Sequence, residues 1–453
     1  MPGRSPLRPS LPRTCDVGHS GLEPAETLRH PAREDVMSPT PAPRKVAVVG
    51  AGMVGLSTAW FLQEHGVEVE VLDRTGVAAG SSWGNAGWIT PGISTPLPDP
   101  AVLSYGIKAV ISPASPVYVP VTTDPRLLKF LAAFTRNSTM RRWPLSMRAL
   151  VPINGRALPA FDVLAAGGVT APAHEAKSFI AGYETKAETE FLLTELQHIA
   201  ASGQEVGFEE LTGDEVRAAE PTFSDRIGAG IRLLGQRYLN PGEFVDSLAD
   251  SVRARGGKIR EGAEVTAITE EAKGVRLTIS GAGDERFDRV VVATGTWLDA
   301  LAKPFGVREH VQAGRGYSFS VPIEHEPRGP VYLPVQRVAC TPLGGRLRVA
   351  GMMEFRKPEA ALDPRRIDAI VDASRPYLTG VDLDDRQDEW VGSRPCTADG
   401  LPLIGATGSP FVHVAGGHGM WGMTLGPATG QLLAETMVTG RPAPELTPFD
   451  PLR

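Results

Sequence analysis

Regular hydrophobic patterning begins at Lys45. A β-branched apolar run, Lys45 to Val49, predicts a buried strand. Apolar positions from Met53 to His65 recur at helical spacing up to Gly66, and Val67 to Leu72 reads as a second strand. Further on, Pro241 to Arg255 predicts a helix with Phe244, Leu248 and Val252 as its buried stripe. There Asn240 stands as N-cap, Pro241 in the first turn and Glu243 as capping-box partner. The runs Val265 to Ile268, Val275 to Ile279 and Arg289 to Ala293 predict strands. Residues 305–360 alternate short apolar runs with Gly and Pro, as an antiparallel sheet does. The chain closes with a strand at Phe411 to Ala415, a glycine-rich turn and a helix from about Thr424 to Val438. Residues 96–150 give no clear organisation beyond short apolar segments such as Leu127 to Phe134.

Residues 1–43 lack this patterning. Pro stands at 2, 6, 9, 12, 24, 31, 39, 41 and 43 and aliphatics do not cluster, so the expectation is a disordered extension. Arg4, Arg8 and Arg13 invite an organelle-targeting reading, but the apolar centre of a secretory signal is missing. Met37, just ahead of the first strand, offers an alternative start of translation.

At 453 residues the chain exceeds one typical core, and two domains are expected. The elements predict an α/β fold: a Rossmann-like, glutathione-reductase-like dinucleotide domain and a second α+β domain on an antiparallel sheet. The first is expected to comprise residues 44–95, 150–205, 236–303 and 386–445. The second takes 96–149, 206–235 and 304–385. A net charge of -6 excludes a general pull toward nucleic acid, and no basic stripe is present for phosphate tracking. Three scattered cysteines, Cys15, Cys340 and Cys396, make neither a disulfide framework nor a metal site. A cytoplasmic, reducing location follows as the expectation. No apolar run reaches spanning length, and peripheral association with the inner face of a membrane stays compatible with the composition.

The chemistry enters at Gly50-Ala51-Gly52-Met53-Val54-Gly55, a GxGxxG placed between strand and helix. Its glycines allow the tight turn, the approach of a pyrophosphate and close helix–strand packing, while free N–H groups of the helix start face the phosphates. Asp73 ends the second strand about twenty residues on, where it can bind ribose hydroxyls. A second literal match, Gly417-His418-Gly419-Met420-Trp421-Gly422, leads into a Pro-rich terminus and lacks a following strand with an acidic residue. One dinucleotide is therefore expected, and reducing equivalents must come from a substrate.

These residues, with Ser81-Ser82-Trp83-Gly84-Asn85-Ala86-Gly87, Ala293-Thr294-Gly295-Thr296-Trp297, Gly392-Ser393-Arg394-Pro395, Asp399-Gly400, Gly405 and Gly416 to Gly419 with Gly422, Pro427 and Gly430, resemble the D-amino-acid oxidase superfamily of FAD-dependent oxidoreductases. Bacterial D-amino-acid dehydrogenases are the nearest part of it. The resemblance implies an extended FAD, its ring between the Asn85 loop and the Gly417 turn and its adenine near the Val265 backbone. The residues implied in cofactor binding are Gly50, Gly52, Met53, Val54, Gly55, Asp73, Arg74, Ser81, Ser82, Asn85, Ala86, Gly87, Val265, Ala293, Thr294, Gly295, Gly417, His418, Gly419 and Gly422. Cys396 does not fall where a covalent flavin link would be expected, which leaves non-covalent FAD.

A carboxylate substrate in a dry pocket requires a fixed cation, best a guanidinium that grips both oxygens. The match to related oxidases makes Arg394 that cation; Tyr317 and Tyr332 are candidate phenol donors. If the amine enters neutral, its lone pair can drive hydride departure from the α-carbon, so His418 is assigned to flavin contact ahead of base catalysis. The implied reaction is oxidative deamination of a D-amino acid to a 2-oxo acid and ammonia, with electrons passed to a quinone or another acceptor. Two alternatives stand beside it. One is an oxidase or dehydrogenase of glycine, sarcosine, proline or hydroxyproline, with oxygen as an acceptor; the other is a non-catalytic flavoprotein subunit.

Overall fold

The computed structural model describes residues 42–100, 115–120 and 122–453. The expected disorder of the N-terminal extension, the alternative start at Met37 and Cys15 lie outside the described residues.

Strand Lys45–Val49 is central to a six-stranded sheet. Lys258–Arg260, Glu68–Leu72, Lys45–Val49, Arg289–Val292 and Val412–Gly416 run parallel in that order, and Leu403–Ala406 adds an antiparallel edge. Alternation along the strand explains its continuous apolar run. Val46 and Val48 pack toward the helices Met53–Glu64 and Gly422–Thr439, whereas Ala47 and Val49 face the cluster of an antiparallel meander of Val265–Glu271, Gly274–Ile279 and Gly283–Phe287. Both faces are covered, so both sets of side chains are buried. The first and last helices meet at small residues. A Cβ on Gly430 would lie 2.6 Å from the Ser57 carbonyl carbon and the Thr58 nitrogen.

The second layer is a nine-stranded, mostly antiparallel sheet. Its path runs Gln387–Cys396, Gln312–Pro322, Arg346–Phe355, Val338–Pro342, Val331–Leu333, Ile180–Tyr183, Ala229–Leu233 and Phe208–Thr212, with Val117–Tyr118 beside Arg346–Phe355. Two expected boundaries need correction here. Ile180–Tyr183, expected in the dinucleotide domain, hydrogen-bonds to Val331–Leu333 and Ala229–Leu233. Gln387–Cys396 likewise pairs with Gln312–Pro322. Local apolar patterning carries no information on which sheet supplies the partner strand.

Two helices occur among the described residues of the region of unclear organisation. Pro125–Asn137 is capped by Asp124, whose carboxylate accepts from the Arg126 N–H, and Trp143–Ala166 packs Leu150, Ile153 and Phe161 into the dinucleotide-domain core. The helix Pro241–Ala254 starts at Asn240 as expected, but the Asn240 side chain makes no cap bond. Pro241 already removes one orphan donor and presets the first-turn geometry.

Candidate active site

The turn after Lys45–Val49 is built by close approach. Gly50 has φ +116°, and a Cβ there would stand 2.4 Å from the Ala293 carbonyl oxygen; a Cβ on Gly55 would meet the Gly50 oxygen at 2.0 Å. Only glycine lets the helix start so near the strand end. The Asp73 carboxylate then ties the turn to the second strand. It accepts from the Ala51 N–H at 2.9 Å and from the Thr75 and Gly76 N–H groups at 2.8 and 3.0 Å. Oδ2, which accepts only from Ala51, keeps a lone pair for a hydroxyl, whereas Oδ1 already accepts two bonds.

This turn opens on a cavity of about 430 Å³. Its walls include residues 50, 52–54, 73–74, 81–82, 85, 265, 293–295, 418–419 and 422. The Met53 N–H at the helix start donates to Ser82 Oγ at 3.2 Å, and the Arg74 guanidinium lies 4.0 Å from the Trp297 ring centroid. Thr294 Oγ1 and His418 Nδ1 belong to wall residues and are buried without a partner among the described residues. Orphaned polar atoms of this kind fit a polar ligand in the cavity. Three expected cofactor residues stand behind the wall. Gly55 and Gly87 serve close packing, Gly87 against the Leu239 carbonyl, and Gly417 (φ +73°) shapes the turn beside Leu403.

A second cavity, of about 280 Å³, adjoins the first, and Ser81, Asn85, Arg394 and Met420 line both. Ala86 faces only this second one. The Arg394 Nη1 donates to the Met352 carbonyl at 2.8 Å, and no carboxylate lies within 4 Å of its guanidinium among the described residues. Burial pulls its pKa below the ordinary value. A partly buried cation without an ionic partner is costly, and an anionic ligand would relieve that cost.

The two candidate tyrosines separate. Both line the second cavity. The Tyr317 hydroxyl donates to Glu354 at 2.7 Å, within a buried cluster that includes Arg315, so its proton is committed away from Arg394. Tyr332 is hydrogen-bonded to Arg337 and stands edge-on to Trp88 at 5.2 Å. His418 is held at Nε2 by Thr429 Oγ1, 2.9 Å away, and burial lowers its pKa to about 4. It is neutral at ordinary pH. Cys396 is buried, its pKa is pushed up to about 12 by burial, and it lines neither cavity.

Several wall residues carried no signal in the sequence: Glu195, Arg337, Met352 and Trp390. They come from distant elements and belong to no motif. Gly84 and Gly392 offered the one indirect hint, since a Cβ on either would collide with the Trp390 indole. No group of metal-binding side chains is present, and no helix is long and apolar enough to cross a membrane, among the described residues.

Comparison with known proteins bears on the fold and the family. A D-amino acid dehydrogenase of Cereibacter sphaeroides is 30% identical over 413 residues, 90% of this chain and 94% of its own length. A glycine oxidase of Bacillus cereus shares the fold with TM-score 0.65 at 22% identity, covering 88% of this chain and 96% of its own. The L-proline dehydrogenase of P. horikoshii does so with TM-score 0.67 at 16% identity, covering 91% and 98%. The family model described as FAD dependent oxidoreductase (DAO) matches residues 45–436, a span that contains the glycine turn and Arg394. With both cavities inside that span, the chain belongs to the FAD dependent oxidoreductase family.

Proposed function

We propose that this enzyme oxidatively deaminates a free amino acid, a D-amino acid foremost, with non-covalent FAD in the larger cavity and the substrate in the smaller. The observation that carries the reading is Arg394, a partly buried guanidinium without a carboxylate partner on the wall common to both cavities. A substrate carboxylate supplies the missing anion and fixes the α-carbon beside the cofactor. The likeness to a protein named D-amino acid dehydrogenase supports the D-configured substrate.

The residues to hold FAD are the helix start at Gly52 to Val54 for the diphosphate, Asp73 for the ribose, the Val265 backbone for the adenine, and Asn85, His418 and Gly419 for the ring. When bound there, FAD would supply a two-electron acceptor for the hydride leaving the α-carbon. The chain's own part is placement. Arg394 holds the carboxylate, apolar walls exclude water, and His418, neutral and held by Thr429, contributes a polar contact and takes no proton. The buried Cys396 thiol is not positioned for a covalent bond, in keeping with dissociable FAD. The imino acid released hydrolyses to a 2-oxo acid and ammonia. The electrons then leave to a quinone or another acceptor.

The test is anaerobic bleaching of the holoenzyme by a panel of D- and L-amino acids, glycine, sarcosine and proline. The expected result is bleaching by D-amino acids, and an Arg394→Ala enzyme that retains FAD while its KM rises about a hundredfold or more. Absence of bleaching by every D-amino acid, or an unchanged KM in the variant, overturns the reading. Reoxidation of the bleached enzyme by a quinone analogue but only slowly by air is the expected acceptor behaviour; rapid reoxidation by air would make it an oxidase.

A further inference from the structure

The part of the smaller cavity that does not border the larger one carries chemistry that the deamination itself does not use. The helix Glu190–Ala201 packs Leu192, Leu196 and Ile199 against the nine-stranded sheet. Phe191, Leu192 and Glu195 on this helix line the cavity. Glu195 therefore reaches a largely apolar space from a rigid element. Its carboxylate has one hydrogen bond, a long one of 3.4 Å from Thr95 Oγ1, and no Lys, Arg or His nitrogen lies within 4 Å among the described residues.

The charges around it do not satisfy it. Asp99, Arg337, Tyr332 and Tyr183 are the titratable groups that bear on Glu195 and its surroundings. Burial pushes the Glu195 pKa up to about 7, Asp99 adds in the same direction, and Arg337 opposes with the smaller effect. Arg337 is itself hydrogen-bonded to Tyr332 and sits over the Phe191 ring at 5.5 Å. A partly buried carboxylate with one weak donor is as incomplete as the partly buried cation at Arg394. The two stand on the wall of one cavity, but only Arg394 also borders the cofactor space. Apolar side chains such as Ile93, Phe134 and Met353 lie on the same wall and suit a methylene chain.

We propose that Glu195 is the specificity determinant of this cavity and selects amino acids with a cationic side chain, whose ammonium or guanidinium it binds while Arg394 holds the α-carboxylate. This rests on the amino-acid reading above. A neutral apolar side chain leaves Glu195 unsatisfied, and an anionic one meets the negative charge of Glu195.

The test uses the holoenzyme in mildly alkaline buffer, with kcat/KM measured for D-lysine, D-arginine, D-norleucine and D-glutamate. D-Lysine or D-arginine is expected to exceed D-norleucine by about tenfold or more, and D-glutamate to be the poorest. In Glu195→Gln this ratio falls to near unity through the KM of the cationic substrates, while Glu195→Asp restores part of it; FAD content and melting temperature report that both variants fold. A wild-type enzyme that prefers D-norleucine, or a Glu195→Gln enzyme that keeps its preference, overturns the proposal. Bleaching by D-norleucine without any cationic preference removes this inference alone, whereas failure of every amino acid to bleach the flavin removes the deamination reading with it.

Discussion

The Arg394 guanidinium lies directly over Gly316: a Cβ on that glycine would come within 2.2 Å of Nη1 and 2.3 Å of Cζ and Nη2. The two residues stand on paired strands, Gln312–Pro322 and Gln387–Cys396, on a diagonal: Arg394 is opposite Gly314, and Gly316 is opposite Gly392. The bare backbone of Gly316 is thus the surface on which the proposed carboxylate anchor rests.

Gly316→Ala should therefore displace the guanidinium, while the substituted residue itself stays outside the larger cavity, which Gly316 does not line. A shift of about 1 Å at an orienting group costs up to a hundredfold in rate. Steady-state kinetics should show KM for the amino acid raised about ten- to a hundredfold, with FAD content and fold retained. Wild-type kinetics in that variant would mean that Arg394 tolerates the displacement and does not position the substrate.

Gly430 performs the equivalent service for the dinucleotide domain. The atoms that a Cβ would meet at 2.6 Å are backbone atoms of Ser57 and Thr58, which cannot rotate away. Gly430→Leu should force the last helix from the first, with a loss of about 3 kcal/mol or more. Because the first helix carries the diphosphate turn, thermal denaturation should show a lower Tm and gel filtration a fall in retained FAD. An unshifted Tm would show that the helices reseat without cost.

Much of this was legible in the chain because it is local. The strand at Lys45, the glycine turn, Asp73 and the helix Pro241–Ala254 each declare themselves within a window of some thirty residues. The helix Trp143–Ala166 was hidden by Pro152 and Pro159, which read as breaks although the helix continues through them, held by its packing in the core. Strand membership failed at Ile180–Tyr183 for another reason: its partners lie some fifty and a hundred and fifty residues away, and pairing leaves no local trace. The site divides the same way. Arg394 was legible beside Pro395, whereas Glu195 is an unremarked acid on an amphipathic helix until the fold turns it toward the substrate cavity. Tyr317 looked like Tyr332 in sequence; in the fold Glu354, from a neighbouring strand, accepts the Tyr317 hydrogen bond, whereas Tyr332 is hydrogen-bonded to Arg337.

His413 gives the acid stability of the fold a specific origin. It is buried in the strand Val412–Gly416, its Nδ1 has no partner among the described residues, and burial together with the Arg289 charge lowers its pKa from 6.5 to about 3. The unfolded chain therefore binds a proton at this residue before the folded chain does. Above the ordinary value of 6.5 the histidine is neutral in both states and stability is independent of its titration. As pH falls below that value the unfolded state gains a proton that the native state refuses, and stability declines by up to about 1.4 kcal/mol per pH unit until the folded pKa is reached. His413→Val, between Val412 and Val414, removes the group and keeps an apolar side chain in the sheet. Urea denaturation across this range should give a shallower loss of stability with falling pH for the variant than for the wild type, and equal slopes would show that the buried imidazole accepts its proton in the folded protein as readily as in the unfolded one.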